Sequence, residues 1–274
     1  MMNKGIILLL LLGISVGAYA RAITPWLIDY GSTIAPSQIA TVSIAIVDPD
    51  NISPSQFKQV STKLFAYISI GEVNNTRSWW AQVKGASWLV EPNPDWPGAF
   101  RVDVRAKAWR QLLMNTLIPK IVSQGFTGIF LDTIDVPLYL EEKNPNLYQG
   151  SRAALVDLIK SIHKKFPQLG IIPNNGFPIL PDIGNIITGA LAEDVYTRYN
   201  FATKTYEATP EDDRRIKEDA LIAFRKRFKK PAFVVLYGKP GSPLIQDAIN
   251  LCQKHDFDWY VAGVSLNGIG QVEN

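Results

Sequence analysis

Two residue types are scarce in this sequence, and their scarcity narrows the chemistry that the chain can perform. The 274 residues include a single cysteine, Cys252, and two histidines, His163 and His255. One cysteine excludes an internal disulfide, and the context AINLCQKHD predicts a small core residue on the buried face of a helix. Both histidines fall in segments with helical patterns, away from the predicted strand ends. We therefore expect neither a histidine-ligated zinc site nor a Ser-His-Asp triad.

Long runs of one charge and phosphate-binding motifs are also missing. The formal net charge is +3, whereas a nucleic-acid-binding domain normally carries a strongly basic face. No Gly-x-Gly-x-x-Gly motif follows the first predicted strand, which argues against a dinucleotide site. No Gly-x-Ser-x-Gly motif marks a serine nucleophile. We therefore expect no nucleic-acid partner and no cofactor.

The longest apolar run lies at the N-terminus. Lys4 precedes seven apolar residues, 6–12, and Ala18-Tyr19-Ala20 fits the small-x-small cleavage pattern of a signal peptide. The run is too short to cross a bilayer comfortably, which argues against a membrane anchor. We therefore predict a signal peptide at residues 1–20, cleaved after Ala20. The mature protein, residues 21–274, is then secreted or periplasmic and separate from the membrane.

Short apolar segments alternate with helical ones through the rest of the chain. Strands are predicted at 26–31, 42–48, 64–72, 125–136, 169–176, 187–194, 231–238 and 259–266. Helices are predicted at 106–124, 153–166, 209–228 and 245–255, with Pro119 kinking or splitting the first. Strands that are apolar throughout and separated by helices favour parallel pairing. Eight of them in about 240 residues predict a single (β/α)8 TIM barrel, with an open doubly wound sheet as the alternative.

Acidic residues end most of these predicted strands. They are Asp29, Asp48, Glu72, Asp132 and Glu193. In a (β/α)8 barrel the carboxyl ends of the strands meet at one mouth, where active sites lie. Asp29 and Asp48 are equally well explained as loop-capping residues. Asp194 competes with Glu193 for the inward position, since neighbours in a strand face opposite ways.

Several carboxylates with few other reactive groups favour glycoside hydrolysis. That reaction needs two carboxyl groups, one to protonate the leaving oxygen and one to act as nucleophile or base. Aromatic rings suited to sugar stacking also follow the strand ends or lie in loops: Tyr30, Trp79, Trp80, Trp88, Trp96, Tyr139, Tyr196, Tyr199 and Tyr237. Two other functions stay open at this point. One is a non-catalytic carbohydrate-binding barrel, and the other is an acid-cluster enzyme using magnesium or calcium.

Four segments together resemble one family of carbohydrate-active enzymes. They are WLIDYG, AYISIGE followed by Arg77, VDVRAKAW and GFTGIFLDTID. These segments resemble the endo-α-1,4-polygalactosaminidase family, glycoside hydrolase family 114, over nearly the whole mature chain. The resemblance implies a TIM barrel that cleaves α-1,4-linked galactosamine polymers by a two-carboxylate, retaining mechanism.

The resemblance also assigns roles to particular residues. It implies that the functional carboxylates are Asp132 and Glu193, and that Glu72 and Asp135 line the substrate subsites. We assign Asp132 as nucleophile and Glu193 as acid/base, with the reverse assignment left open. With the other strand-end residues, the predicted substrate-binding set is Asp29, Tyr30, Asp48, Glu72, Arg77, Asp135, Asn174 and Tyr237. We expect no metal, an amino-sugar polysaccharide as partner, and a monomer.

The predicted mouth has its own electrostatic character. Its carboxylates would concentrate a cationic polymer, although the chain as a whole is mildly basic. Crowded carboxylates repel one another, so at least one of them should hold a proton near neutral pH, which suits a general acid. The candidates to offset the remaining charge are Arg77, Arg105, Arg198 and Lys239.

Overall fold

The computed structural model describes residues 24–272. The predicted signal peptide, residues 1–20, lies outside the described residues. The strands are β1 Trp26–Asp29, β2 Ile44–Val47, β3 Lys63–Ser69, β4 Glu72–Asn74, β5 Leu89–Pro92, β6 Ala99–Val102, β7 Gly128–Asp132, β8 Gly170–Pro173, β9 Ala190–Ala192, β10 Thr197–Asn200, β11 Thr205–Ala208, β12 Ala232–Tyr237 and β13 Asp258–Ala262. The α-helices are α1 Pro36–Ile39, α2 Trp80–Val83, α3 Lys107–Leu112, α4 Ile118–Ser123, α5 Val136–Lys143, α6 Pro145–Tyr148, α7 Ser151–Lys165, α8 Leu180–Ile183, α9 Glu211–Phe228 and α10 Pro243–Lys254.

Eight strands within residues 24–272 form parallel pairs. Five lie in one sheet, in the order β1-β2-β3-β7-β8, and three in another, in the order β9-β12-β13. A parallel bridge between Asn174 and Leu191 links the two sheets. At the opposite edges, Trp26 Nε1 donates to the Asp258 carbonyl at 3.1 Å, but no ladder joins β1 to β13 in the described part of the chain. The predicted parallel α/β architecture is confirmed, whereas closure into a continuously hydrogen-bonded barrel is not.

Side chains alternate between two apolar layers along the parallel strands. The central layer, which receives residues from all eight, includes Trp26, Ile28, Ile44, Ile46, Phe65, Phe130, Ile172, Leu191, Phe233, Val235, Tyr237 and Ala262. Intervening residues such as Leu27, Ile129 and Val234 join an outer layer that contains the apolar faces of the helices. Because the side-chain period of a strand is two, a residue two positions after a central-layer residue also points to the centre. This rule decides which strand-end residues enter the functional site.

The helix predicted at 106–124 is interrupted near Pro119, as expected. A π-helical turn, Leu113–Leu117, separates α3 from α4. Helical backbone angles continue from α3 through this turn into α4, so Pro119 lies inside a continuing helix, just after the π-helical turn, and cannot donate an amide hydrogen bond there. The buried Trp109 of α3 donates from Nε1 to the Ile70 carbonyl at 2.9 Å, which fixes this helix to the chain just after β3.

Two antiparallel insertions follow the ends of parallel strands and were not predicted. The first is a three-stranded sheet in the order β4-β6-β5, located between β3 and β7. The second is the hairpin β10-β11, located between β9 and β12. The strand predicted at 64–72 is therefore wrong at its end, because β3 stops at Ser69 and Glu72 begins β4. The strand predicted at 187–194 is shorter, so Glu193 follows β9 directly.

Gly71 permits the tight passage from β3 to β4. A Cβ atom at this position would lie 2.1 Å from the Thr133 carbonyl oxygen, far inside van der Waals contact. The Gly71 amide also donates to Thr133 Oγ1 at 2.9 Å. A close approach of two backbone segments therefore explains this glycine, and it holds the start of β4 against the end of β7.

The scarce residues of the sequence lie away from the parallel strand ends. Cys252 is fully buried on α10, as predicted. His163 lies on α7, and His255 directly follows the last residue of α10, with its Nε2 2.6 Å from Glu218 Oε1. No helix among residues 24–272 has the length and apolar composition of a membrane span.

Candidate active site

A cleft of about 730 Å³ opens at the carboxyl ends of the parallel strands. Nine predicted site residues line it: Tyr30, Asp48, Glu72, Arg77, Asp132, Asp135, Asn174, Glu193 and Tyr237. These side chains come from distant parts of the chain and from both parallel sheets. The structure therefore brings the strand-end residues together around one opening, as the sequence pattern indicated.

Asp29 does not line this cleft, contrary to the prediction. Its side chain is 1% exposed, and Oδ1 accepts hydrogen bonds from the amides of Gly31 at 2.6 Å and Gly268 at 3.1 Å. Ile28 belongs to the central layer, so Asp29 faces the other way and Tyr30 faces the cleft. Asp29 thus joins two loops, which is the capping role that the sequence had left open.

Asp132 and Glu193 are held together by one amide group. Asn174 Nδ2 donates to Asp132 Oδ1 at 2.9 Å and to Glu193 Oε2 at 3.1 Å. Because the two hydrogens of an amide NH2 group diverge by about 120°, linear hydrogen bonds of these lengths place the two acceptor oxygens roughly 5 Å apart, and two atoms at these distances from one nitrogen cannot be more than about 6 Å apart. The other oxygens are bonded too, since Tyr67 donates to Asp132 Oδ2 at 2.9 Å and Tyr237 donates to Glu193 Oε1 at 3.0 Å. Both carboxylates therefore have fixed orientations.

These five side chains meet because each continues the inward face of a parallel strand. Each lies two residues after a member of the central layer: Tyr67 after Phe65, Asp132 after Phe130, Asn174 after Ile172, Glu193 after Leu191 and Tyr237 after Val235. The same alternation decides between the two neighbouring acids at the sixth parallel strand. Glu193, rather than Asp194, is bonded to Asn174 and Tyr237.

The residue after each of three strand-end side chains has a left-handed backbone. The φ angles are +55° at Thr133, +55° at Asn175 and +54° at Asp194. This conformation costs a residue with a side chain about 1–2 kcal/mol, and it is retained where surrounding contacts hold it. Asn175 Oδ1, for example, accepts from the Glu193 amide at 3.2 Å. Three of the seven non-glycine residues with positive φ among the described residues therefore directly follow Asp132, Asn174 and Glu193.

The environment of Glu193 favours its protonated form. Burial is the main cause, and the neighbouring charge of Asp132 adds to it, so that the pKa of Glu193 rises to about 7. Hydrogen bonds from Asn174 and Tyr237 oppose this rise in the pKa without cancelling it. A carboxyl group with a pKa near the working pH can both donate and accept a proton during a reaction. Burial and the neighbouring charge therefore make Glu193 the member of the pair that can carry a proton near neutral pH.

Two further acids line the cleft beside this pair. Glu72 is 6% exposed, accepts from Asn93 Nδ2 at 2.8 Å and lies 4.0 Å from Arg101 Nε. Burial raises the pKa of Glu72, with the Asn93 hydrogen bond opposing the rise and Asp132 adding to it. Asp135 opens towards the cleft, but protein surrounds it on most sides. Loss of solvation and the charge of Asp132 raise the pKa of Asp135.

Arg77 is bound by carboxylates at the cleft, as predicted. Its NH1 nitrogen lies 3.0 Å from both oxygens of Asp48 and 2.9 Å from Asp50 Oδ2. The guanidinium also lies over the ring of Tyr67, 5.2 Å from its centroid. Arg77 therefore offsets part of the negative charge in this region and helps to orient Tyr67, the tyrosine that donates to Asp132.

The prediction that Arg105 offsets the cleft acids is wrong, whereas the charge of Arg198 does act on one of them, because it opposes the rise in the pKa of Asp194, which lines the cleft. Arg105 binds Asp103 at 2.8 Å, and Arg198 binds Glu207 at 2.6 Å. Both are local pairs, separated by two and nine residues along the chain, respectively. Lys239 does not line the cleft. Each arginine therefore forms its ion pair with an acid close to it in the chain, within the same loop or insertion.

Sequence reasoning missed several residues of the site: Tyr67, Asn93, Arg101, Asn175 and Phe201. Tyr67 could have been predicted from the sequence, because it follows Phe65 by two residues on an apolar strand. Asn93, Arg101 and Phe201 belong to the antiparallel insertions, and no local pattern indicates that these fold back over the strand ends.

The oxygen atoms of the central pair are engaged by hydrogen-bond donors. Tyrosine hydroxyls and an amide NH2 group are directed at them, and an amide donor does not coordinate a cation. Among residues 24–272, no three His, Cys, Asp or Glu side chains are grouped so as to hold a metal ion. The donor set around this pair thus matches a proton-transfer site better than an oxygen-ligated cation site.

The sequence profile of glycoside-hydrolase family GH114 matches residues 17–274. The chain belongs to this family. An uncharacterised protein of Deinococcus radiodurans is 28% identical over 228 residues, which cover 77% of this chain and 70% of that protein. As a GH114 member the chain is a glycoside hydrolase, the enzyme class predicted from its strand-end carboxylates, and the alternative of a non-catalytic binding barrel is not supported.

Two solved structures share the fold of this GH114 chain. The glycoside hydrolase domain of PelA from Pseudomonas aeruginosa has a TM-score of 0.79 at 22% identity, covering 92% of this chain and 100% of that one. Ega3 from Aspergillus fumigatus, solved in complex with galactosamine, has a TM-score of 0.69 at 18% identity, covering 92% and 96%. At these identities the likeness is one of fold.

We expect Asn174→Ala to lower kcat by about 10²-fold, the loss typical of misplaced reacting groups. Without the bridging amide, the two carboxylates lose their shared donor and their fixed separation. The pKa of Glu193 should also rise, because the Asn174 hydrogen bond lowers it. The pH profile of kcat/KM should therefore move upward, an effect that simple destabilisation would not produce. Asn250→Ala, on an exposed position of α10, is the matched control, and an unchanged kcat in Asn174→Ala would contradict the bridging role.

Proposed function

We propose that this GH114 enzyme cleaves α-1,4-linked galactosamine-type polysaccharide with retention of configuration, using Asp132 as nucleophile and Glu193 as acid/base. The observation that carries the proposal is the single NH2 group of Asn174 that bridges the two carboxylates. The resulting spacing of roughly 5 Å agrees with the 5–5.5 Å typical of retaining glycosidases, and is shorter than the 6.5–9.5 Å typical of inverting ones.

The proposed reaction has two balanced steps. Glu193 first donates its proton to the glycosidic oxygen while Asp132 attacks the anomeric carbon, so that the leaving sugar departs and a covalent glycosyl ester forms. The ionised Glu193 then takes a proton from water, whose oxygen attacks the same carbon and releases Asp132. Tyr67 and Asn174 keep the attacking carboxylate oriented in both steps.

The charge of the cleft supports an amino-sugar substrate. Acidic side chains lining it are Asp48, Asp50, Glu72, Asp132, Asp135, Glu193 and Asp194, against the basic Arg77 and Lys120. This excess remains negative when Glu193 is protonated, and a concave negative site concentrates a cationic ligand. The likeness of fold to Ega3, whose structure contains galactosamine, points in the same direction.

We also propose that the two parallel sheets close into the predicted (β/α)8 barrel. Side chains from all eight parallel strands pack in one central layer. An open sheet would not produce this arrangement. At the unpaired edges, Trp26 Nε1 donates to the Asp258 carbonyl, and the Tyr30 amide donates to the Leu266 carbonyl at 2.7 Å. The N-terminal sequence pattern supports export of the enzyme, which we expect to act as a monomer.

The substrate proposal is tested by product analysis. The purified enzyme is incubated with α-1,4-linked polygalactosamine, with its N-acetylated form, with galactosaminogalactan, and with chitosan as a β-linked control. We expect oligosaccharides from the α-linked polymers that contain free amines, and proton NMR should show the α-anomer as the first product. An initial β-anomer would contradict retention, and the absence of products from every α-linked polymer would contradict the proposed substrate class.

The pH dependence should reveal the acid/base residue. As general acid, Glu193 must enter the reaction protonated, and its pKa is about 7. We therefore expect kcat/KM to reach its plateau below pH 7, over the range in which Asp132 is ionised and can act as nucleophile, and to fall about tenfold per pH unit well above pH 7. In Glu193→Gln, assayed on a substrate whose leaving group needs no proton, this descending limb should vanish. Persistence of the limb in that variant would assign it to another group.

A further inference from the structure

Two exposed aromatic side chains touch one another at the cleft. Trp96 is 54% exposed and Phe201 is 59% exposed. Their ring centroids are 5.7 Å apart, and their planes meet at 82° in an edge-to-face arrangement. Both rings line the cleft that contains the carboxylate pair. Large apolar side chains left in water and gathered at a cleft commonly mark a binding surface.

The two rings come from different insertions. Trp96 lies between β5 and β6, in the insertion that follows the third parallel strand, whereas Phe201 lies between β10 and β11, after the sixth. The order β1-β2-β3-β7-β8, continued by the bridge to β9, places these two strand ends three strands apart. The Trp96–Phe201 contact therefore connects two separate sides of the opening.

Hydrogen bonds tie the turn that carries Trp96 to the site. Asn93 Nδ2 donates to Glu72 Oε1 at 2.8 Å, while its Oδ1 accepts from the Asp95 amide at 3.0 Å. The Ala99 amide closes the turn by donating to the Trp96 carbonyl at 3.0 Å. One asparagine thus links an acid of the cleft to the turn that presents the tryptophan ring.

Phe201 is the outer member of a row of aromatic rings. Its centroid is 5.1 Å from that of Tyr199, which is 5.0 Å from that of Tyr206. Tyr206 packs against the central layer, and Tyr199 lines the cleft. Asn200 Oδ1 accepts from the Thr203 amide at 3.2 Å and stabilises the hairpin turn. The phenylalanine ring is therefore supported from below while it remains open to solvent.

We propose that Trp96 and Phe201 form an additional sugar-binding subsite, which holds the polysaccharide across the mouth of the cleft. This inference rests on the proposed function. An edge-to-face pair leaves ring faces available to the C–H face of a pyranose ring. The ammonium group of an unacetylated galactosamine is also attracted to an aromatic face. The subsite thus favours the same cationic sugar as the acids beneath it.

The subsite has a distinct kinetic consequence. The carboxylate pair is positioned by Asn174, Tyr67 and Tyr237, and neither ring of the subsite belongs to that network. Contacts that bind the chain equally in the ground state and the transition state change KM and leave kcat unaltered. Removing either ring should therefore weaken binding of a long chain without slowing the chemistry.

The test compares Trp96→Ala and Phe201→Ala on polygalactosamine and on an aryl galactosaminide that occupies only the reacting site. We expect KM for the polymer to rise about five- to tenfold in each variant, the loss typical of one aromatic contact. The value of kcat on the polymer, and both constants on the aryl substrate, should match the wild type. Trp96→Phe should recover most of the affinity. Ile216→Ala, 65% exposed on α9 and outside the cleft, should leave all constants unchanged.

The outcomes separate the subsite from the proposed function. If the wild type cleaves polygalactosamine and both alanine variants keep its KM, the subsite is refuted while the function stands. A fall in kcat alone, or an equal rise in KM for the aryl substrate, would also refute it. If the wild type neither binds nor cleaves any galactosamine polymer, both proposals fail. Thermal unfolding midpoints verify folding, and because the rings lie on separate insertions, agreement between the two variants would show that the loss of affinity does not come from damage to one insertion.

Discussion

Asp132→Asn is expected to lose cleavage of the polysaccharide by on the order of 10⁴-fold or more, as happens when a nucleophile is removed from other covalent mechanisms. The substitution preserves shape, but a neutral amide cannot attack the anomeric carbon. It also directs an NH2 group at donors that now bond Asp132, namely Tyr67 or Asn174. The measurement is the rate of oligosaccharide release under saturating polymer.

An external anion should distinguish loss of the nucleophile from general damage. In Asp132→Asn, azide can enter in place of the carboxylate and attack an activated α-aryl galactosaminide, which yields the β-glycosyl azide. The matched control is Asp219→Asn, at an exposed position of α9, which should retain wild-type activity. Wild-type cleavage by Asp132→Asn would remove this residue from the mechanism, whereas rescue that yields only the α-azide would contradict its role as nucleophile.

Glu193→Gln is expected to lower activity on the polymer by about 10²–10⁴-fold, the usual contribution of a positioned acid/base group. The glutamine side chain still has an oxygen for the Tyr237 hydroxyl, but it has no proton to give to the glycosidic oxygen. A substrate with a leaving group that departs unprotonated should be much less affected in its first step. Comparing the rate of Glu193→Gln on the polymer with its rate on this substrate therefore measures the loss of proton donation.

Azide is expected to give a product of the opposite anomeric configuration in Glu193→Gln. The covalent ester on Asp132 still forms, and azide attacks it without needing a general base, so the product is the α-glycosyl azide. Glu142→Gln, at an exposed position of α5, serves as the matched control and should behave as wild type. If the two azide products were exchanged between Asp132→Asn and Glu193→Gln, the roles of nucleophile and acid/base would be reversed.

Local patterns in the sequence were sufficient for the order of the parallel strands and for the enzyme class, but not for the two antiparallel insertions. Apolar alternation and helical spacing act between residues close in the chain, so they predicted all eight parallel strands. The same alternation, applied strictly, would have placed Asp29 outside the cleft and Tyr67 inside it, because Ile28 and Phe65 belong to the central layer. Those two errors came from counting strand-end acids without tracking which face each one occupies.

Other features depended on residues far apart in the chain and could not be predicted from local pattern. The bridging position of Asn174 requires β7 and β9 to lie on either side of β8, which only sheet order establishes. The environment of Glu72 depends on a three-stranded insertion that folds back over the cleft and supplies Asn93 and Arg101. The partners of Arg105 and Arg198 were likewise decided by loop geometry.

The sequence by itself thus determined that the protein has a parallel α/β fold with acids at its strand ends, and that it belongs to a glycoside hydrolase family. Both conclusions rest on strand periodicity and motif residues, which are properties of neighbouring positions. Tertiary structure alone decided which acids face one another, which one holds a proton near neutral pH, and which aromatic rings meet across the mouth. The physical reason is that these features depend on groups that are distant in the chain and that folding brings together. The spacing and burial of the carboxylates set the pKa of Glu193, and the contact between the rings forms the binding surface.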